Sequence, residues 1–278
     1  MELAFSTWGP RPSEIDKDAK KIVLLHGMGG TGAIWRPIAI ELENDFSILA
    51  PDQRGHGGSS QVTSGDFHPL DFGRDVLETM DREHFEPAWV VGHSMGARTA
   101  CAVAKLRPQA VAGLVLVDLG FIGLAGGGFG ANLSTLLKDL PMEFESRDTA
   151  RTYLAAHSPD PAISQYLLAV SQPLDPKAPS GPLRFPFNRE ALLLTVESAR
   201  TISLREWVAD FGRSGMPVLA LRGGVSRVWS KADFEMEKRL FEKYPNVVFE
   251  EVAGAGHGLP FEKRKEFTAR LRNFIGGS

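Results

Sequence analysis

Only Gly92-His93-Ser94 separates an apolar run, Ala88 to Val91, from a stretch with helical periodicity, Met95 to Leu106. A chain that passes so abruptly from strand to helix must turn sharply. Glycines at Gly92 and Gly96 leave room for that turn, where larger side chains would collide with the neighbouring strand and helix. The five residues Gly92 to Gly96 form a G-x-S-x-G string. Such a turn strains the backbone at Ser94 and pushes its Oγ into the open at the head of a helix. The helix N-terminus supplies an unpaired N–H from Met95 and the positive end of a dipole, both suited to developing negative charge.

The same alternation recurs along the chain. Short apolar runs bounded by Gly, Pro or Asp read as buried strands, and longer segments with apolar residues at helical spacing lie between them. Strands are expected at Ile22 to Leu25, Phe46 to Ala50, Leu114 to Val117, Val218 to Leu221 and Val247 to Val252, and helices at Ala33 to Leu42 and Phe261 to Phe274. Parallel strands joined by crossover helices pack this pattern economically, so the fold class is α/β with a doubly wound, mostly parallel sheet. Between Gly120 and Gly215 the rhythm stops. A structureless loop of that length is improbable, so residues 120–215 are expected to form an inserted, mainly helical cap over a core made of 1–119 and 216–278. A glycine cluster, Gly126 to Gly128, and a helix-like stretch, Ala162 to Val170, fall within it.

Composition removes several classes of partner. A net charge of −3 offers no broad basic surface for nucleic acid or anionic membrane. No stretch is apolar and long enough to span a bilayer, and Met1 to Lys21 lacks the apolar core of a signal peptide. The lone cysteine, Cys101, cannot form an intrachain disulfide and sits in a helix without a charge partner, so a cytoplasmic location and an inert buried thiol are expected. No metal motif or phosphate-cradling loop is present, and no cofactor is implied.

Three further segments carry a resemblance. His26-Gly27-Met28-Gly29-Gly30 follows the first strand, Asp52-Gln53-Arg54-Gly55-His56-Gly57 follows the next, and Ala253-Gly254-Ala255-Gly256-His257-Gly258 follows the last. With the string at Ser94, these make the chain similar to the α/β-hydrolase superfamily over nearly its whole length. The resemblance implies Ser94 as nucleophile, His257 as general base, and the backbone N–H groups of Met28 and Met95 as the oxyanion hole. These are roles that two fixed donors and a neutral imidazole can fill at pH 7. Asp52, Arg54 and His56 are expected to hold neighbouring loops together.

The triad acid is the open position. The family's usual acid follows the strand ending at Leu221, yet Arg222-Gly223-Gly224-Val225-Ser226-Arg227 contains no carboxylate, and Arg227 stands where relatives of this local form carry aspartate. Asp118 ends the strand Leu114 to Val117, where one branch of the haloalkane dehalogenases places its acid. Asp233 lies near the start of a segment, Ser230-Lys231-Ala232, that reads as the beginning of a helix. Asp118 is the preferred candidate, with Asp233, or no acid, as alternatives, and Arg227 is a possible salt-bridge partner for either aspartate.

The resulting expectation is a serine hydrolase acting on a small carboxylic ester or related acyl bond through an acyl-enzyme, with a pocket lined by Phe121, Phe129, Leu133, Leu136, Leu137 and Phe144. A carbon–carbon bond hydrolase or perhydrolase of the same fold, or a weakened relative that only binds small molecules, are the alternatives.

Overall fold

A computed structural model describes residues 1–10, 20–59, 66–122, 128–158 and 161–277. The first half of the core runs β1 (Phe5–Trp8), β2 (Lys21–Leu25), α1 (Arg36–Leu42), β3 (Ser47–Pro51), α2 (Pro69–Arg82), β4 (Ala88–His93), α3 (Met95–Leu106) and β5 (Val111–Val117). An intervening segment holds α4 (Gly128–Asp139), β6 (Glu143–Phe144), α5 (Arg147–His157), α6 (Pro161–Val170), β7 (Gln172–Pro173), β8 (Leu183–Arg184), α7 (Arg189–Ala199) and α8 (Arg205–Ser214). The core then resumes with β9 (Val218–Gly223), α9 (Lys231–Phe241), β10 (Val247–Val252), α10 (Leu259–Glu262) and α11 (Arg264–Gly276).

Seven strands form one sheet in the order β1-β3-β2-β4-β5-β9-β10. All pairings are parallel except β1 with β3. Apolar side chains alternate between its faces: Val23, Val90, Leu114 and Ala220 pack on one, and Leu24, Val91, Val115 and Leu221 on the other. Burial on both faces explains why these strands read as continuous apolar runs. From β2 the chain moves first to β3 on one side and then back to β4 on the other. The loops after β2 and β4 therefore leave the sheet at a topological switch point, where a crevice opens at the carboxyl ends of the strands.

Three expectations change. The helix over Ala33 to Leu42 is a 3-10 turn, Gly32–Trp35, followed by α1, because Pro37 lacks the N–H that would let α-helical bonding run through. The helix over Phe261 to Phe274 is divided into α10 and α11 at Lys263. Strand β1 was not anticipated, since only four residues pair and none is buried.

Between β5 and β9 no long strand occurs among the described residues, and β6, β8 and β7 make a small antiparallel sheet beside the helices. This segment has its own apolar cluster, which includes Leu136, Leu154, Leu168 and Leu192. Of the glycine cluster, Gly126 and Gly127 lie outside the described residues, as does the side chain of Phe129. No helix among the described residues is long and apolar enough to cross a membrane.

Candidate active site

Ser94 joins β4 to α3 with φ 53° and ψ −119°, a conformation that costs a side-chain-bearing residue about 1–3 kcal/mol. It persists because the surroundings hold it: Ser94 N–H donates to the Val117 carbonyl at 2.9 Å, and both flanking glycines are sterically required. A Cβ on Gly92 would lie 2.2 Å from the Gly96 carbonyl oxygen, and one on Gly96 would lie 2.3 Å from that of Leu25.

His257 stands in the loop between β10 and α10, and its Nδ1–H donates to Asp118 Oδ2 at 2.8 Å. That bond assigns the tautomer and leaves Nε2 as the basic nitrogen. Two other groups pin the loop. Glu262 accepts from the N–H groups of Gly256 and Gly258 at 2.6 and 3.1 Å, and His93 Nε2–H donates to the His257 carbonyl at 2.7 Å.

Asp118 is fully buried at the end of β5, in the left-handed region at φ 51°. Besides His257 it accepts from Gly223 N–H at 2.8 Å and from the Ser226 hydroxyl, so the loop after β9, which carries no acid, supplies donors instead. Asp233 takes a different part. It sits in the first turn of α9, where Ser230 Oγ bonds both its N–H and its carboxylate. Arg227 is exposed and forms an ion pair with neither aspartate, because its side chain points to solvent rather than into the strand ends.

Ser94 and His257 line one narrow cavity of about 80 Å³, together with Met28, Met95 and apolar side chains that include Phe67, Phe72, Leu119 and Leu192. Leu133 and Leu137 line it as expected. Phe121, Leu136 and Phe144 do not. Phe121 packs with Trp229 and Phe249 in the sheet core, while Leu136 and Phe144 pack within the intervening segment. Among the described residues no group of His, Cys, Asp or Glu could hold a metal ion.

A model of the alpha/beta hydrolase fold matches residues 20–263. The chain belongs to the α/β-hydrolase fold family. It is 30% identical to a 2-(acetamidomethylene)succinate hydrolase of Mesorhizobium japonicum, over 91% of this chain and 87% of that one. It is 26% identical to the mouse sn-1-specific diacylglycerol lipase ABHD11, over 94% of this chain and 83% of that one. A crystal structure of E-2-(acetamidomethylene)succinate hydrolase superimposes with a TM-score of 0.77 at 26% identity, covering 99% of this chain and 95% of that one.

The loops flanking this hydrolase-fold site are held by polar and ionic contacts. His26 Nε2 accepts from Gln53 N–H and His56 Nε2 accepts from Gly29 N–H, each at 3.0 Å, so both rings brace the loop that carries Met28. Asp52 accepts from Gly32 and Gly58 N–H groups, and Arg54 forms a two-pronged ion pair with Asp75. Cys101 is buried, and burial pushes its thiol up to about 12, which leaves it inert at neutral pH.

Sequence reasoning missed Tyr166, Arg98, Ser226 and Glu262. Tyr166 comes from α6, lines the cavity, and donates its hydroxyl to the Gly27 carbonyl at 3.2 Å. Burial raises the pKa of this phenol, so it remains a donor throughout the neutral range. It steadies the peptide preceding Met28, whose N–H faces the developing charge under the oxyanion assignment. Tyr166→Phe is therefore expected to lower kcat by roughly three- to tenfold, the worth of one hydrogen bond, with little change in KM. Steady-state kinetics on a neutral ester would check this, and a change confined to KM would contradict it.

Proposed function

We propose that this α/β-hydrolase is a serine hydrolase that cleaves a carboxylic ester or related acyl bond of modest size through an acyl-enzyme. The observation that carries the reading is the buried Asp118–His257 hydrogen bond, which presents the imidazole to the same cavity as a strained Ser94. His257 Nε2 takes the Ser94 proton as Oγ attacks the substrate carbonyl. The resulting oxyanion is held by the Met28 and Met95 N–H groups and by the dipole of α3. Collapse of the tetrahedral intermediate expels the alcohol, which receives the proton from His257. Water, deprotonated by the same nitrogen, then attacks the acyl-enzyme and releases the acid and Ser94.

The cavity favours small substrates. At about 80 Å³ it is smaller than the roughly 150 Å³ apolar cavity that takes up benzene, so the acyl part is short. The relatives named as hydrolases and as a lipase support hydrolysis in general.

A fluorophosphonate probe tests the assignment directly. One equivalent should attach to wild-type protein at neutral pH, mass spectrometry should place it on Ser94, and Ser94→Ala should take up none. A folded wild type that stays unlabelled would instead favour the reading that the chain binds small molecules without turning them over.

A further inference from the structure

Arg98 is a buried cation with no carboxylate partner among the described residues. Its residue is 4% exposed, yet its side chain lines the same cavity as Ser94 and His257. Among the described residues none of the ion pairs includes it. Residues 123–127, which follow one of its contacts in the sequence, contain no acid. Among the described residues two of its five N–H donors are used: Nη1 donates to the Ile202 carbonyl at 3.1 Å and Nη2 to the Ile122 carbonyl at 3.2 Å. Buried charges are normally paired, and burial lowers this guanidinium to about 10, still charged at neutral pH.

Every other side chain lining the cavity is uncharged or, like His257, already committed to the reaction. Thr195 and Ser198 donate their hydroxyls to backbone carbonyls, and Thr99 donates to Gln53. A guanidinium in a mostly apolar chamber therefore offers its remaining donors to whatever enters.

We infer that Arg98 selects substrates whose acyl part carries a carboxylate. This deepens the serine-hydrolase reading and rests on it. Arg98 lies four residues after Ser94 on α3, about one helical turn or roughly 6 Å along the axis. Helical side chains lean toward the N-terminus, which carries the guanidinium back toward the serine. That separation suits a short spacer of about two or three carbons between the attacked carbonyl and the anion. The planar fork donates to both carboxylate oxygens at once, and apolar surroundings strengthen the pair.

Two esters of matched shape separate charge recognition from fit: monoethyl succinate, and ethyl 4-methylpentanoate, in which an isopropyl group replaces the carboxylate. With hydrolysis followed by pH-stat, wild type should show kcat/KM at least tenfold higher for the anion, and succinate should inhibit competitively while 4-methylpentanamide does not. Arg98→Gln should collapse the ratio toward one, chiefly through KM for the anion, and Arg98→Lys should restore part of it.

Equal kcat/KM for the two esters in wild type would overturn the inference. So would an equal loss on both in Arg98→Gln and Arg98→Lys, the result expected if Arg98 only ties α3 to Ile122 and Ile202. The wild-type comparison and the inhibition assay need no variant, so poor folding of Arg98→Gln leaves the decision intact. Ser94 labelled by fluorophosphonate in a protein that ignores monoethyl succinate would sink the carboxylate preference and leave the hydrolase reading standing. An unlabelled Ser94 would sink both.

Discussion

Asp118→Asn should lower kcat by about four orders of magnitude on any substrate the protein turns over, while the protein stays folded. The aspartate accepts His257 Nδ1–H, Gly223 N–H and the Ser226 hydroxyl. Asparagine keeps the shape, and its single carbonyl oxygen can still accept from Gly223. Its amide would face His257 as a donor, so the imidazole would have to accept at Nδ1 and carry its proton on Nε2. The basic nitrogen would then point away from Ser94, and the positive charge that forms during proton transfer would lose its counter-ion. The backbone tolerates the change, because asparagine is among the few residues at ease with the φ of 51° found here.

Asp233→Asn is the matched control. Its side chain bonds Ser230 in the first turn of α9. A rate within about twofold of wild type is expected, since only an exposed helix-end contact is altered. Steady-state kinetics of the two variants, with circular dichroism for folding, decides the acid. An Asp118→Asn protein retaining a tenth of the activity would remove this residue from the triad.

The second large effect is on stability in acid. His26, His56 and His93 are buried, and burial lowers them from 6.5 to about 4, 3 and 3 respectively. The nearby His26 adds to the effect on His56, and His257 to that on His93. The hydrogen bonds agree with the direction: His26 and His56 accept backbone N–H groups at Nε2, which a proton there would abolish. For a base lowered in the folded state, the unfolded chain binds the extra protons. The stabilisation is therefore complete above pH 6.5 and drains away as pH falls toward the folded values.

Three protons give an upper limit near 4 kcal/mol per pH unit around pH 5, set against a total stability of about 5–15 kcal/mol for a typical domain. Urea unfolding at pH 8, 7, 6 and 5 should show little change over the first step and a steep fall over the last. His56→Gln should be less stable at pH 8 but show a gentler acid slope. A midpoint that stays level from pH 7 to pH 5 would mean that these rings are not held neutral.

Some of this protein is legible in its sequence. Strands such as Leu114 to Val117 and Val218 to Leu221 are recognisable because burial on both faces demands unbroken apolar runs, and helix α3 because its start is fixed by the residues beside it. The sharp turn at Ser94 is equally local, written in Gly92 and Gly96. Strand β1 escaped notice for the converse reason: it is short, unburied and defined mainly by the strand it pairs with.

What no single stretch contains is the choice between Asp118 and Asp233, both short acids near the end or start of an element. Asp118 and His257 are 139 positions apart, and only the parallel packing of β5, β9 and β10 brings their loops together. Arg98 and Tyr166 likewise look like ordinary polar residues on helices, because a sequence records the spacing of side chains but not whether water or a cavity lies opposite them. Local steric and hydrophobic rules therefore determined the elements and the elbow at Ser94. The hydrogen-bonded Asp118–His257 pair and the charged wall of the cavity were decided by tertiary structure, since such contacts exist only after distant segments are packed.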